Sequence, residues 1–230
     1  IAYKGEKAEI RAEDIRAVCT VSLEARVFDL VKAVAEKHPE RAVQIYRTLL
    51  SMKESPYMVL SLITRQFRLI LETMLLTQII LGLSAKNAVK NLNFYILDLG
   101  NSGMIPLKQL PHVADYMNID HEEKIGKFQK LILEEITERK KKLARAMVQN
   151  FSVYNETQPE PLKAIVIAID QYEVVKELGE AVESFIQKVS RDGAGLGIYL
   201  AVTTSRDGAM RSAARNNFKM RIGGFNFDES

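Results

Sequence analysis

The sequence predicts an α+β composite, in which an N-terminal all-α helical bundle precedes an α/β module with a mostly parallel sheet. In the first third of the chain, apolar residues recur at helical spacing. In the remainder, short runs rich in β-branched residues alternate with helical stretches, which is typical of a parallel sheet covered on both sides. The clearest of these runs, 164–169, is wholly apolar and leads into Asp170, as expected of a strand buried on both faces.

The composition is that of an ordinary globular protein. The chain has 230 residues, of which 47% are hydrophobic and 27% charged, and this length allows one large or two small domains. A net charge of +3 is too small to indicate a nucleic-acid partner by itself. The single cysteine, Cys19, excludes an intramolecular disulfide and favours a reducing compartment.

The sequence contains no evident targeting or membrane segment. Its most apolar stretch, 74–83, is interrupted by polar residues, and we predict that it is too short to span a bilayer. We therefore expect no transmembrane segment and a cytoplasmic location. The chain starts at Ile1 rather than Met and stops abruptly at Ser230, so we expect a fragment.

Four helices are predicted in the first part, and together they indicate an antiparallel bundle. Pro39 and Pro56 favour helix starts, because proline suits the first helical turn. The last helix is predicted to run continuously, or nearly so, to about Leu83. The predicted spans are 12–19, 22–37, a helix from 39 and a helix from 56.

These helices carry a family resemblance. The stretches AEDIRAVCT, SLEARVFDLVKAVAEKHPERAVQIYRTLL and MKESPYMVLSLITRQFRLILE resemble the C-terminal helical domain of the delta subunit of the bacterial DNA polymerase III clamp loader. The resemblance covers roughly residues 1–72. It implies a collar domain that holds clamp-loader subunits together, with those subunits as partners.

The second part alternates strands and helices. We predict a helix that begins near residue 120 and loops around Pro106, Pro111 and residues 151–161. Predicted strands are 93–99, 164–169, 197–203 and 218–222, and further predicted helices are 172–189 and 208–216.

A second resemblance covers roughly residues 77–230. The motifs are NFYILDLGNSGMIPLKQLPHVADYMNIDHEEKIGKF, AIVIAIDQYE, GLGIYLAVTTSR and NFKMRIGGFNFDES. They resemble the FtsK/SpoIIIE class of motor ATPases, and most of all the repeated modules of the type VII secretion ATPase of Gram-positive bacteria. This implies a P-loop-NTPase-like fold, motor-ring neighbours as partners, and a place in the bacterial cytoplasm, as a soluble part or as the cytoplasmic part of a membrane-associated complex.

The two resemblances meet where the phosphate loop, G-x-x-x-x-G-K-[ST], belongs. Residues 65–73 read RQFRLILET, and no GK[ST] occurs in the chain. Without convergent backbone N–H groups and a lysine, tight ATP binding is expected to be lost. We therefore expect no cofactor, ATP and Mg²⁺ at most weakly, and no ATPase activity. The predicted division is 1–72 helical bundle, 73–92 connecting seam and 93–230 degenerate, incomplete ATPase-like module.

Asp170 has two interpretations. It lies where nucleotide hydrolases place the acid that works on Mg²⁺, and it would hold metal only if a nucleotide binds. The simpler interpretation, which we favour, is a strand-end acid that caps the following helix. The resemblance implies a Glu at the next position in active modules. Gln171 stands there, and an amide cannot act as a general base.

Two further sites at strand ends are remnants of a nucleotide site or simply polar turns. Asp98 ends its strand and either faces the same crevice as Asp170 or is a turn acid before Gly100. Thr203, Thr204 and Arg206 follow the third strand, where the resembled motors sense the nucleotide; Thr204 is included in the predicted remnant site.

Other clusters have weaker support. His112 and His121 lack partners at metal-ligand spacing, so no metal site is expected there. The basic run 139–142, with Arg145, would suit DNA, but the interleaved acids favour a solvated helix face.

Three functional hypotheses follow. The chain is a degenerate, non-hydrolysing module of a secretion or DNA-translocating motor that acts in assembly. Alternatively, it is a replication scaffold of the clamp-loader type. The third alternative is a chimeric or artefactual sequence with no single natural function, since two resemblances meet without a complete site.

Overall fold

A computed structural model describes residues 23–51, 55–100, 102–206 and 208–224. The chain divides into two compact units, Ile1–Leu69 and Ile70–Ser230, which are described separately. The helix predicted at 12–19 lies outside the described residues, and the division 1–72, 73–92 and 93–230 stays a prediction.

The described part of the first unit is helical, as predicted. Helix α1 spans Leu23–Ala35, α2 spans Pro39–Ser51 and α3 begins at Pro56. Their apolar faces form one core, because residues three and four apart lie on the same side of a helix. This core contains Val27, Leu30, Val31, Ala33, Ala42, Leu49 and Val59.

Helix α3 runs without a break from Pro56 to Lys86, 31 residues. This confirms the predicted continuous helix, which ends three residues beyond the predicted end. Among the described residues, α3 is the one helix long and apolar enough to cross a membrane, with a mean hydropathy of 1.5 over an 18-residue window that is 17% buried. The expectation that residues 74–83 are too short to span a bilayer underestimated the length of the apolar segment. Core helices of soluble proteins can be equally long and apolar, so these two properties do not distinguish a membrane span from a core helix.

The second unit is built on a four-stranded parallel sheet in the order β2-β1-β3-β4. The central strands are β1, Leu92–Asp98, and β3, Ala164–Asp170, and the edges are β2, Val113–Met117, and β4, Ile198–Val202. The prediction of a mostly parallel sheet is confirmed. Strand β2 was missed, because its five residues include Asp115 and lack a continuous apolar run.

The sheet buries both faces, as its apolar runs predicted. Alternate residues of β3 point to opposite sides. Ile165, Ile167 and Ile169 pack into a core with helices α4, Glu122–Arg145, and α6, Glu180–Asp192. Val166 and Ala168 pack into a second core that contains Leu76 and Ile80 of α3.

Four local predictions were wrong. Residues 151–161 contain a helix, α5, Phe151–Thr157, whose cap is the Asn150 side chain accepting the Val153 N–H at 3.0 Å. The helix predicted at 172–189 is broken at Gly179 (φ 93°) into a 3₁₀ helix, Tyr172–Leu178, and α6. The helix predicted at 208–216 is a four-residue turn, α7, Ser212–Arg215. Residues 218–222 form no strand, and no strand within the described residues pairs with them.

Candidate functional site at the carboxyl ends of β1 and β3

Two buried carboxylates lie side by side at one edge of the sheet. Asp98 ends β1 and Asp170 ends β3, and the parallel register pairs them directly. Their side chains are 1% and 0% exposed, respectively. In open α/β sheets, ligands bind in the crevice outside the carboxyl ends of the strands. The structure therefore places both predicted acids where a ligand site of this fold would lie.

Both oxygens of Asp170 accept hydrogen bonds from threonine hydroxyls. Thr73, on α3, donates to Oδ2 at 2.7 Å, and Thr203, just after β4, donates to Oδ1 at 2.6 Å. The 3₁₀ helix that follows has no side-chain cap hydrogen bond at its start. The capping interpretation is therefore wrong: Asp170 joins α3 to two strand ends instead.

The surroundings of Asp170 favour its protonated form. Burial is the main cause that raises the pKa of this carboxyl, and the negative charges of Asp98 and Glu173 raise it further. The hydrogen bonds from Thr203 and Thr73 act in the opposite direction, because they stabilise the carboxylate. The net shift of the pKa is upward.

Asp98 is held by a different set of donors. Its Oδ2 accepts the Met104 N–H at 2.9 Å and the Tyr116 hydroxyl at 2.8 Å. Burial is the main cause that raises the pKa of Tyr116, and the hydrogen bond of its hydroxyl to Asp98 raises this pKa further. The phenol therefore stays protonated and donates. Among the described residues, Oδ1 of Asp98 is buried without a hydrogen-bond partner.

Gln171 adopts a left-handed backbone (φ 58°, ψ 67°) directly after β3. Its N–H donates to Thr203 Oγ1 at 3.0 Å, so Thr203 connects the backbone of Gln171 to the carboxylate of Asp170. The Gln171 side chain packs against Gly100, where an added Cβ would lie 1.9 Å from Nε2. Gly100 therefore provides the space that the Gln171 amide occupies.

Glu173 closes the site on the side of β4. Its Oε1 accepts both the backbone N–H and the hydroxyl of Ser205. The predicted residue Thr204 does not join Asp170: it is exposed and donates to the Arg206 carbonyl at 3.2 Å. Arg206 is exposed as well. The strand-end threonine in the site is Thr203, and a predicted nucleotide contact by Thr204 stays a prediction.

Three residues of the site, Thr73, Tyr116 and Glu173, were not predicted from the sequence. Thr73 is the last residue of the interval where the phosphate loop was expected. That position is the one sequence feature that could have indicated its place in the site. Tyr116 lies on the strand that sequence patterns missed. Nothing in the local sequence indicates that the hydroxyl of Tyr116 reaches the strand-end acid of β1.

The backbone before Thr73 is helical. Residues 65–73 lie inside α3, where N–H groups are directed along the helix towards carbonyls of the preceding turn. A phosphate cradle needs several N–H groups that converge on one point. These residues do not fit the phosphates of a nucleotide. Within the described ranges, no group of three or more metal-ligating side chains is present either.

The remaining predicted clusters have structural roles. His112 is buried, with Nε2 2.8 Å from the Asn87 carbonyl, and His121 accepts the Asn118 N–H at 3.2 Å. Arg139 is only 2% exposed, so it does not belong to a solvated basic face. Its neighbours Lys140 and Lys141 are exposed and paired with Asp192 and Glu138, respectively.

The four-stranded parallel sheet, with its strand-end acids and flanking helices, defines the class: an α/β module of the P-loop-NTPase-like type without the loop. Comparisons with known proteins agree. Curated relatives and solved structures resemble this chain as type VII secretion ATPases, and a family model resembles it as the DNA polymerase III delta subunit, C-terminal domain.

Three curated relatives show the first similarity. The chain is 40% identical over 139 residues to the ESX secretion system protein EccC of Geobacillus thermodenitrificans, with 60% of this chain covered. It is 39% identical over 141 residues to the ESX secretion system protein YukB of Bacillus subtilis, with 61% covered. It is 34% identical over 160 residues to the type VII secretion system protein EssC of Staphylococcus aureus (strain MRSA252), with 69% covered. The chain spans only 9%, 9% and 11% of these relatives' lengths.

Solved structures agree. EssC (ATPases 2 and 3) from Geobacillus thermodenitrificans superposes with a TM-score of 0.61 at 36% identity, and the match covers 64% of this chain and 28% of that chain. The cytoplasmic domain of EssC matches with the same values. Thermomonospora curvata EccC (ATPases 2 and 3), solved with a signal sequence peptide, has a TM-score of 0.58 at 19% identity and 64% and 27% coverage, which shows the shared fold alone.

The second similarity is to a family model. The model described as DNA polymerase III delta subunit, C-terminal domain, matches residues 24–137. This range extends beyond the predicted 1–72 and includes β1, β2 and the first part of α4. The family match and the predicted seam therefore do not coincide.

Proposed function

We propose that this chain is a degenerate, non-hydrolysing nucleotide-binding module of a type VII secretion motor, and that it acts in assembly. The supporting comparisons are the 40%, 39% and 34% identities to ESX and type VII secretion proteins. Since the chain spans a small part of those relatives, the activity of a whole motor is not transferred to it. We place the module in the bacterial cytoplasm, with motor-ring neighbours as its partners.

The observation that carries this proposal is the unbroken helix α3 across residues 65–73. Those residues end at Thr73, whose hydroxyl is already bonded to the strand-end acid Asp170. A helix at this position presents side chains rather than a concave set of N–H groups, so it supplies no phosphate cradle. Gln171 removes the general base that the resembled active modules carry at that position.

A role in assembly follows from what remains. The sheet keeps buried faces on both sides and a fully packed pair of central strands, so it supplies a stable scaffold without its loop. We infer that such a module contributes surface and shape to a ring of neighbouring modules. ATP and Mg²⁺ are not expected to bind, or to bind only weakly.

The test is a side-by-side assay of the purified chain and of a relative's module that contains G-x-x-x-x-G-K-[ST]. Phosphate release from MgATP and calorimetric titration with MgATP are measured on both. We expect turnover and binding heat for the relative's module alone. Hydrolysis by this chain that disappears in Asp170→Ala would overturn the proposal.

A second candidate function rests on the family match over residues 24–137. In this alternative the chain is a replication scaffold, which binds clamp-loader subunits through its helical unit. Co-purification of the chain with recombinant clamp-loader subunits tests it, with the second unit alone (70–230) as the comparison. Retention of the whole chain but not of the second unit would favour this candidate over the first, and retention of neither would exclude it.

The third hypothesis, that the two resemblances were joined artificially, has its own test. Sequencing of genomic DNA from the source across codons 65–95 shows either one unbroken reading frame or a junction. We expect an unbroken frame. A junction would remove the functional meaning of the Thr73–Asp170 contact, although not its physical consequences.

A further inference from the structure

The edge strand β4 directs a row of backbone groups away from the sheet on its outer side. In the parallel pair β3–β4, Gly197 O accepts the Ile165 N–H and Thr203 N donates to Ile169 O. With Ile165 opposite Ile198, this pattern directs the N–H and C=O groups of the odd-numbered β4 residues towards β3. The groups of Ile198, Leu200 and Val202 therefore point away from the sheet.

Only one of these outward groups has a described partner. The Ile198 N–H donates to the Gly193 carbonyl at 3.0 Å. The N–H and C=O groups of Leu200 and Val202, and the C=O of Ile198, have no described hydrogen bond within the part of the chain that the structure covers. Such a row of groups is a template for another strand.

The opposite edge of the same sheet, β2, is protected against pairing with another strand, in contrast to β4. On β2, the Tyr116 N–H donates to Asp115 Oδ1 at 2.8 Å and the Tyr116 carbonyl accepts from Lys124 Nζ at 2.8 Å. Lys124 and Asp115 are also ion-paired at 2.5 Å. A register shift interrupts the β1–β2 ladder as well. Charges and irregular pairing are the usual devices that prevent edge association.

Strand β4 has none of these devices. Its sequence, IYLAV, contains no charge, no proline and no polar side chain except the Tyr199 hydroxyl, and Tyr199 is 40% exposed. The β3–β4 ladder is regular along its whole length. Unprotected edges of apolar β-branched and aromatic residues pair readily with other strands.

We propose that the β4 edge is a self-association surface: two copies of this chain pair antiparallel through β4 around a twofold axis at Leu200, joining their sheets into one. In this register Leu200 lies opposite Leu200 of the second copy, and the two residues exchange both N–H···O=C bonds. The Val202 N–H donates to the Ile198 carbonyl of the second copy. The twofold axis repeats this hydrogen bond with the two copies exchanged.

A second copy fits this edge better than an unrelated charged strand. A twofold axis at the central residue sets outward residues opposite outward residues at all three positions, so the edge is self-complementary. No like charges meet across the axis, since the strand is neutral. The Ile198 N–H that is already used internally falls at the end of the paired segment, where loss of one bond costs least.

The interface is short, so the dimer is expected to be weak. Five residues of paired strand bury less than a standard protein interface, and a dissociation constant on the order of micromolar is expected. This inference does not depend on the proposed function, because it uses only the geometry of the sheet edge.

Analytical ultracentrifugation of the full chain from about 5 to 500 μM tests the proposal, with a concentration-dependent dimer as the expected result. Leu200→Pro removes an outward N–H that makes no bond to β3, and Tyr199→Lys adds an edge charge. Each is expected to weaken the dimer about tenfold or more. Ala114→Lys, an exposed position on the β2 edge, is the matched control and should leave the dimer unchanged.

Amide hydrogen exchange of the unmodified chain supplies a readout that does not depend on whether the variants fold. In the unmodified chain, exchange at Leu200 and Val202 is expected to slow as concentration rises, while exchange at residues of the β2 edge stays constant. A chain that remains monomeric at the highest concentration would overturn the proposal. So would a dimer that Leu200→Pro and Tyr199→Lys leave intact, or a dimer whose β4 amides exchange at the monomer rate.

Discussion

The hydroxyl of Thr73 donates a 2.7 Å hydrogen bond to Asp170, although 97 residues separate them in the sequence. The contact fixes one helical turn of α3 against the end of the central strand β3. Thr203 binds the second oxygen of the same carboxylate. One acid therefore organises a helix, a strand end and the segment after the neighbouring strand, and it does so within the second unit.

Replacement of Asp170 is expected to separate the effects of charge and of hydrogen bonding. Asp170→Ala leaves two buried hydroxyls without their acceptor and should lower the free energy of unfolding by about 1–3 kcal/mol. Asp170→Asn keeps an oxygen acceptor and removes a buried charge, so it should be neutral or stabilising at pH 7. Urea unfolding of the three proteins, followed by circular dichroism, gives the comparison. Equal destabilisation by Asn and Ala would show that the ionised carboxylate itself is required.

The pH dependence of stability carries a definite sign. Because burial raises the pKa of Asp170 above its ordinary value of 3.8, the folded chain binds this proton more tightly than the unfolded chain. The stabilising contribution is complete below the unfolded pKa and is lost as pH rises through the folded pKa. The difference in unfolding free energy between Asp170→Asn and the unmodified chain should therefore increase from pH 4 to pH 8. A flat difference across that range would contradict the raised pKa.

Thr73 permits a test of the hydroxyl with little change of shape. Thr73→Val should lower the unfolding free energy by about 1 kcal/mol, since it leaves Asp170 Oδ2 without this donor. It should also raise the pKa of Asp170 further, because the Thr73 hydrogen bond is one of the two that lower it. Thr73→Ser retains the hydroxyl and is the control. If Val and Ser variants have the same pH profile, the hydrogen bond contributes nothing to the ionisation of Asp170.

The strands of the core were predictable because their pattern is local. AIVIAID and NFYILDL are continuous apolar runs with a terminal acid, and β3 and β1 lie within one residue of their predicted bounds. Continuity of α3 was predictable for the same reason, since no glycine or proline interrupts residues 57–81. These features depend on propensity and burial along the chain itself.

The site was less predictable, because its contacts are long-range. Nothing near Asp170 shows that its donors come from Thr73 and Thr203 rather than from the next helix turn. Strand β2 was missed since it is short and has Asp115 within it, and its pairing depends on β1. The segment 218–222 resembles a strand by composition, yet a strand also needs a neighbour that satisfies its backbone.

Gln171→Glu tests whether the missing base or the missing cradle limits catalysis. The substitution restores the carboxylate of the resembled active modules, but residues 65–73 remain helical. We expect no phosphate release from MgATP above background, because a general base cannot compensate for absent phosphate binding. Gln171→Gly, which accepts the left-handed backbone (φ 58°) without strain, is the fold control. Turnover by Gln171→Glu would contradict the proposal that the module is non-hydrolysing.

Arg139 provides the largest predicted change outside the site. Its guanidinium is buried and donates to the Leu196 carbonyl at 2.7 Å, to the Lys163 carbonyl at 2.8 Å and to Glu135 Oε1 at 2.7 Å. These carbonyls lie just before β4 and β3, so Arg139 joins α4 to the amino ends of both strands. Arg139→Met should lower the unfolding free energy by about 2–4 kcal/mol, since it fills similar volume but leaves the carbonyls unpaired.

The exposed neighbour Lys142 is the matched control for that substitution. Lys142→Ala should change the unfolding free energy by no more than about 0.5 kcal/mol, because substitutions at exposed helix positions rarely have larger effects. Chemical unfolding of both variants measures the contrast. Arg139→Lys should resemble Arg139→Met, since a single ammonium group cannot reach carbonyls on both strands in the fixed geometry of a guanidinium. A stable Arg139→Met variant would instead mean that water or a neighbouring donor satisfies the two carbonyls.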